Sequence, residues 1–211
     1  MALASNLGYP RIGPDRGLKR VTESYWKGEL TAPELLRAGS QLRRQAWEAQ
    51  RRIGIDLVPC NDFSLYDHVL DAMALVGAVP ARYGWQGGSV DLETYFAMAR
   101  GVQREGLDVA AMEMTKWFDT NYHYIVPEFA AGQSFSLSSS KVFDELAEAR
   151  EADVNAKPVL LGPVSLILLG KTREPEFRPL AELLDPLTEV YGQVIARLAG
   201  SGAEWIQLDE P

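Results

Sequence analysis

The stretch Ile53-Gly54-Ile55-Asp56-Leu57-Val58-Pro59-Cys60-Asn61-Asp62-Phe63-Ser64 leads directly into Leu65-Tyr66-Asp67-His68-Val69-Leu70-Asp71-Ala72-Met73-Ala74-Leu75-Val76 and joins two patterns. Residues 53–60 are short, apolar and partly β-branched, which predicts a strand with a polar end at Asn61 and Asp62. Residues 65–76 repeat apolar side chains at helical spacing, which predicts a helix with Ser64 as its N-cap. The alternation recurs outward. Strands are predicted near 3–11, at 109–118 ending on Asp119, within 157–169 together with the loop after it, and at 205–208 ending on Asp209-Glu210. Thr31-Ala32-Pro33-Glu34 reads as a capping box opening a helix that runs to about Arg52, with Gly54 as its stop. Further helices are predicted at 91–100, 139–151 and 180–198, the last started or kinked by Pro186. Gln86-Gly87-Gly88-Ser89 reads as a loop inside the domain.

Strands alternating with helices imply βαβ units and a mostly parallel sheet. Several predicted strands end in an acid: Asp62, Asp119 and the Asp209-Glu210 pair. Such ends line the mouth of a (βα) barrel or face the ligand crevice of a doubly wound sheet. Neither G-x-G-x-x-G nor G-x-x-x-x-G-K-[ST] is present, so nothing supports nucleotide binding. About five strands are counted in 211 residues, whereas an eight-stranded barrel usually needs ~250. The expectation is a piece of a longer polypeptide whose open sheet exposes unpaired edges and associates unless capped.

The composition narrows the class. A hydrophobic share of 46% and a charged share of 24% fit an ordinary globular chain and exclude disorder. No apolar run approaches the roughly 18 residues of a membrane helix. No secretory pattern opens the chain, and Cys60 is the only cysteine, so a cytoplasmic, reduced setting is expected. A net charge of −8 argues against nucleic acid as a partner.

That average hides a local reversal. Between positions 11 and 20 lie Arg11, Arg16, Lys19 and Arg20 against the single acid Asp15. If a helix starts near Asp15, Arg16, Lys19 and Arg20 share one face, and the helix N-terminus adds free N–H donors. Such a cluster suits a ligand with several carboxylates or phosphates. The competing reading is a solvated basic face paired with Glu23. A second segment, Glu113-Met114-Thr115-Lys116-Trp117-Phe118-Asp119-Thr120-Asn121-Tyr122-His123-Tyr124-Ile125-Val126-Pro127-Glu128, combines aromatics with a lysine, acids and one of two histidines. It either forms an aromatic wall with a fixed cation or packs into the core with Lys116 paired to Glu113 or Asp119. Asp209-Glu210 offers a general base or substrate ligand, or else a solvated pair, the last favoured here. His68 and His123 stand without a second histidine or cysteine at ligand spacing, so no metal site is expected within the chain, and Cys60 is expected to be buried.

Four segments in order along the chain resemble one family. They are Asn6-Leu7-Gly8-Tyr9-Pro10-Arg11-Ile12-Gly13, the segment from Glu113 to Tyr124, Leu161-Gly162-Pro163-Val164-Ser165, and Gln207-Leu208-Asp209-Glu210-Pro211. Together they resemble the N-terminal domain of cobalamin-independent methionine synthase. The resemblance implies a (βα)8 TIM-barrel fold, with residues 1–211 forming a partial N-terminal barrel of about five of eight strands and the C-terminal catalytic barrel absent. It implies transfer of a methyl group from 5-methyltetrahydropteroyl-polyglutamate to homocysteine, giving methionine without cobalamin. Zinc, homocysteine and the catalytic acid would belong to the absent barrel. The N-terminal barrel would help bind the folate polyglutamate tail. The family's folate contacts fall on Arg16, Gly17, Leu18, Lys19 and Lys116, with no catalytic residue and no metal ligand in this chain. Gly17 stands where the family usually has an acid, and glycine weakens a helix start by up to ~1 kcal/mol. A backbone contact there would survive and a side-chain contact would not.

The chain by itself is therefore expected to lack methyltransferase activity, because nothing in it can bind zinc and lower the thiol pKa of homocysteine. Two other classes fit the residues: a stand-alone, non-catalytic folate- or anion-binding module, and a related barrel methyltransferase using another methyl carrier. A downstream zinc-ligand pattern, or a dimer that binds polyglutamate without zinc, separates them.

Overall fold

A computed structural model describes residues 2–104 and 106–211. In chain order the elements are α1 (Gly17–Trp26), α2 (Ala32–Arg52), β1 (Val58–Cys60), α3 (His68–Val76), α4 (Leu92–Arg100), β2 (Val102–Arg104), β3 (Leu107–Val109), β4 (Met114–Lys116), β5 (His123–Ile125), α5 (Lys141–Glu151), β6 (Ala156–Leu161), α6 (Pro163–Leu168), α7 (Pro179–Gly200) and β7 (Gln207–Asp209). Two compact units divide the chain. One holds the N-terminal segment through Leu65 with residues 142–159 and 201–207; the other holds residues 66–141, 160–200 and 208–211.

In the first unit the capping box at Thr31 opens α2 as expected, the Glu34 carboxylate accepting from the Thr31 N–H and hydroxyl, each at 2.7 Å. The helix ends at Arg52, and Gly54 takes φ 88° to turn the chain. Leu35 and Trp47 bury the inner face of α2, and the Trp47 indole N–H donates to the Pro59 carbonyl at 3.1 Å. β1 pairs in parallel with β6, Val58 opposite Ala156 and Cys60 opposite Pro158. Cys60 is fully buried, as an apolar residue would be. Arg43 of α2 sits between Glu145 and Glu148 of α5, at 3.4 and 2.6 Å, with its guanidinium 5.2 Å from the Phe63 ring centre.

In the second unit α6 packs on α7, and Leu166, Ile167, Leu183, Leu187 and Val194 form apolar core between them. Pro186 lies inside α7 rather than at its start. β7 neighbours β6, and the Asp209 carbonyl accepts from the Gly162 N–H at 2.8 Å.

The structure departs from several sequence expectations. The strand near residues 3–11 reduces to one parallel bridge, Ser5 with Leu57. Residues 109–118 form no parallel strand. β3 pairs antiparallel with β2, and β4 pairs antiparallel with β5. Asp119, Thr120 and Asn121 supply turn chemistry that closes the second ribbon, a signal competing with apolar periodicity. The segment after β6 is a helix rather than a loop, with Pro163 in its first turn. α3 starts three residues later than Ser64 would place it, because Asp67 is the cap and accepts from the Val69 and Leu70 N–H groups. Among the described residues the sheets are β1-β6-β7 and two two-stranded ribbons, an α/β arrangement with parallel pairing and no closed barrel.

Candidate functional site

The basic N-terminal motif is held by strand-end polar groups of its own unit. Asp62 accepts from the Tyr9 N–H at 2.8 Å, and Arg11 donates to the Ser64 carbonyl at 3.1 Å. Asp62, expected at an active-site mouth, thus anchors the motif. Gly13 takes φ 70°, which favours glycine, and a Cβ there would meet Leu42 Cδ2 at 2.6 Å and push that side chain aside. A 3-10 turn over Pro14–Arg16 follows, in which Asp15 and Arg16 adopt left-handed angles, φ 52° and 59°. Such angles are unfavourable for non-glycine residues and cluster at functional segments.

This geometry corrects the expectation of a shared helical face. Arg16 is the left-handed N-cap of α1, so only Lys19 and Arg20 of the three lie on the helix. Leu18 is buried at 1% exposure, and its N–H donates to the Ile12 carbonyl at 3.0 Å. The Gly17 N–H is committed to the Pro14 carbonyl. The motif therefore divides into an anchor, Gly17 and Leu18, and two exposed cations, Arg16 and Lys19. Lys19 pairs with Glu23 at 3.5 Å, both half-exposed, as the solvated-face reading required. Gly17 has ordinary helical angles, and a Cβ would rest 3.5 Å from Leu42, so a side chain at this position fits. Beside the motif, Tyr9, Arg11, Pro14, Leu42, Arg43 and Phe63 line a cavity of about 170 Å³.

Lys116 belongs to the second unit and is exposed at the end of β4. Glu113, one of its two expected partners, is taken by Lys171 at 2.5 Å. The aromatics around Lys116 form a cluster: Trp117 meets His68 edge-on at 4.4 Å, Phe118 at 5.0 Å and Tyr124 at 5.9 Å, and His68 lies 5.7 Å from Tyr122. The wall expected from the sequence thus packs largely on itself. Nearby, Arg82, Trp85, Glu128, Phe129, Lys171 and Arg173 line a broad cleft of about 1330 Å³ that Lys116 does not enter.

Glu210 is exposed, as the favoured reading of a solvated pair expected, yet its carboxylate is engaged. Its carboxylate accepts from the Val164 and Ser165 N–H groups at 3.1 and 2.7 Å, and a Cβ on Gly162 would collide with it. One group escaped the sequence reading. Asp67 is 1% exposed, and burial, opposed by hydrogen bonds from Leu70, Ile125 and Val69 and reinforced by the Asp71 charge, pushes its carboxyl up to about 7. The legible signal was an acid immediately before an apolar helical run. Among the described residues no group of three or more His, Cys, Asp or Glu is placed to hold a metal ion, and no helix is long and apolar enough to cross a membrane.

Residues 3–211 match the family model described as the cobalamin-independent synthase, N-terminal domain. The chain is 58% identical over 216 residues to the 5-methyltetrahydropteroyltriglutamate–homocysteine methyltransferase of Salinibacter ruber, and 53% identical over 222 residues to that of Caulobacter vibrioides. These alignments cover 100% and 98% of the chain but 28% of each relative. A Listeria monocytogenes crystal structure assigned as a vitamin-B12-independent methionine synthase is similar in fold, with a TM-score of 0.58 and 15% identity over 99% of this chain and 53% of that one.

Proposed function

The chain belongs to the cobalamin-independent methionine synthase family, matching its N-terminal domain, and we propose that it serves a methyltransferase by holding the polyglutamate tail of the folate methyl donor. The whole reaction moves the methyl group of 5-methyltetrahydropteroyltriglutamate to the homocysteine thiol. On this reading the chain is part of a (βα)8 barrel, and methyl transfer is carried out by a catalytic barrel in the remaining length of such an enzyme. Zinc there would lower the pKa of the substrate thiol. The side chains described here do not fit a zinc ion, so none of their work passes through it. A cytoplasmic location accords with the single, buried cysteine.

The work of this chain is electrostatic. Each γ-linked glutamate carries a free carboxylate, and the chain offers exposed cations at the positions the family uses. Arg16 presents a planar fork that accommodates a carboxylate bidentately, and Lys19 and Lys116 present compact charges. Leu18 serves from the core by fixing α1, so that Arg16 and Lys19 leave the protein at a defined point. The observation carrying this reading is that Arg16, Lys19 and Lys116 are all exposed in a chain whose net charge is −8.

The test is calorimetric titration of the chain with p-aminobenzoyl-tri-γ-glutamate, whose aromatic amine stays neutral. Loss of one charge-assisted contact in Lys116→Met should weaken binding about tenfold. Equal affinity for the wild type, Lys116→Met and an Arg16→Met/Lys19→Met double variant would overturn the reading.

A further inference from the structure

Lys116 faces a second ionisable group across its ribbon. The Trp117 N–H donates to the Tyr122 carbonyl at 2.7 Å, and the Val126 N–H donates to the Glu113 carbonyl at 2.8 Å. Residues 117 and 122, like 113 and 126, are therefore hydrogen-bonded pairs. The register sets Lys116 opposite His123, and the alternation of an antiparallel ladder puts this pair at a non-hydrogen-bonded position. There the two Cα atoms approach to about 4.5 Å and the side chains leave the same face. Both residues are exposed. His123 Nδ1 lies 3.0 Å from the Asn121 carbonyl oxygen, which can only accept. Nδ1 therefore carries the proton of the neutral ring, and Nε2 is the atom that gains or loses one.

We propose that His123 is the proton-gated half of the anion contact at Lys116, so that one tail carboxylate is held between Lys116 Nζ and protonated His123 Nε2. This rests on the tail-binding reading above. Two cations directly opposite each other repel across a strand pair. An anion between them replaces that repulsion with two charge-assisted hydrogen bonds. Neutral His123 presents only a lone pair at Nε2, which repels a carboxylate, so binding and protonation favour each other. The other ionisable groups around the ribbon are Asp119 in its turn, His68, Tyr122 and Tyr124 in the aromatic cluster, Glu113 with Lys171 at its far end, and Asp67, which accepts from the Ile125 N–H. Because Asp67, pushed up to about 7, changes charge in the same range, a variant at His123 is needed to isolate its part.

The experiment is titration of the chain with p-aminobenzoyl-tri-γ-glutamate at about pH 6 and about pH 8, which bracket the charge change of imidazole. The ligand carboxylates remain ionised across that window. Wild type should bind about threefold tighter at the lower pH, the scale of one exposed ion pair. It should also take up protons on binding, read from buffers of different ionisation enthalpy. His123→Gln should bind at both pH values as wild type does at pH 8. His123→Arg, permanently charged, should bind at both as wild type does at pH 6. A pH slope that persists in His123→Gln, or no tightening at pH 8 in His123→Arg, overturns the proposal and leaves the tail-binding reading standing. Absence of wild-type binding at both pH values overturns both.

Discussion

Asp67 shows how burial and hydrogen bonding contend at one residue. One carboxylate oxygen accepts from the Val69 and Leu70 N–H groups at 2.9 Å each, and the other accepts from the Ile125 N–H at 3.1 Å. These donors favour the anion, yet burial prevails and the group titrates at about 7. An acid raised above its unfolded value of about 3.9 holds its proton longer in the folded state. Its contribution to stability is thus complete below pH ~4 and is lost as pH rises through about 7. Urea midpoints of the wild type should fall across this window, and those of Asp67→Asn should fall less; parallel curves would refute the assignment. Asp67→Ala should cost about 2 kcal/mol, from the lost cap and the stranded Ile125 N–H. The cap was only half legible. Ser64 and Asp67 are both good cap formers by type, and the need of the distant Ile125 N–H for an acceptor, which no local pattern contains, falls on Asp67.

At the scale of elements, α2 followed its sequence closely because its signals are local: a capping box, an apolar stripe and a glycine stop. What the helix is tied to was hidden. Glu145 of α5 is 3% exposed, pairs with Arg43 and accepts from the Asn61 N–H at 3.1 Å. Glu145→Ala leaves a largely buried guanidinium and a backbone donor short of an acceptor, and should destabilise the protein by about 3 kcal/mol in denaturant unfolding. The i,i+4 pair Arg52–Glu48, 72% exposed on both sides, should lose less than about 0.5 kcal/mol when Arg52 is replaced by Ala. Equal costs would show that burial does not set the strength of these pairs. The ribbon of β4 and β5 is the opposite case to α2. Residues 109–118 carry strand-like composition, but composition cannot choose between a parallel strand and a hairpin arm. The choice lay in the turn at Asp119, Thr120 and Asn121, and that turn brings Lys116 opposite His123.

For the whole molecule, the chain spans about 28% of the length of the two curated relatives compared above. We expect the 211-residue chain, given 5-methyltetrahydropteroyltriglutamate, homocysteine and zinc, to form no methionine; product detected by mass spectrometry would overturn this. The family was legible in the linear order of four motifs, because a motif is a pattern of residue types and needs no folding to be read. The α/β class and the well-capped helices were legible for a related reason: periodicity, caps and turn residues act over a few positions. Burial and pairing between distant segments could not be read this way. Arg16, Leu18 and Lys19 look alike as members of one motif, yet packing buried the Leu18 side chain and left the two cations exposed. Likewise, Asp62 was expected at an active-site mouth and Glu210 in a solvated pair, and tertiary contacts give them the Tyr9 N–H and the first-turn N–H groups of α6 to accept from. Local chemistry along the chain sets which elements form, whereas the partners that buried or closing backbone groups must find across the fold decide which side chains remain free to act.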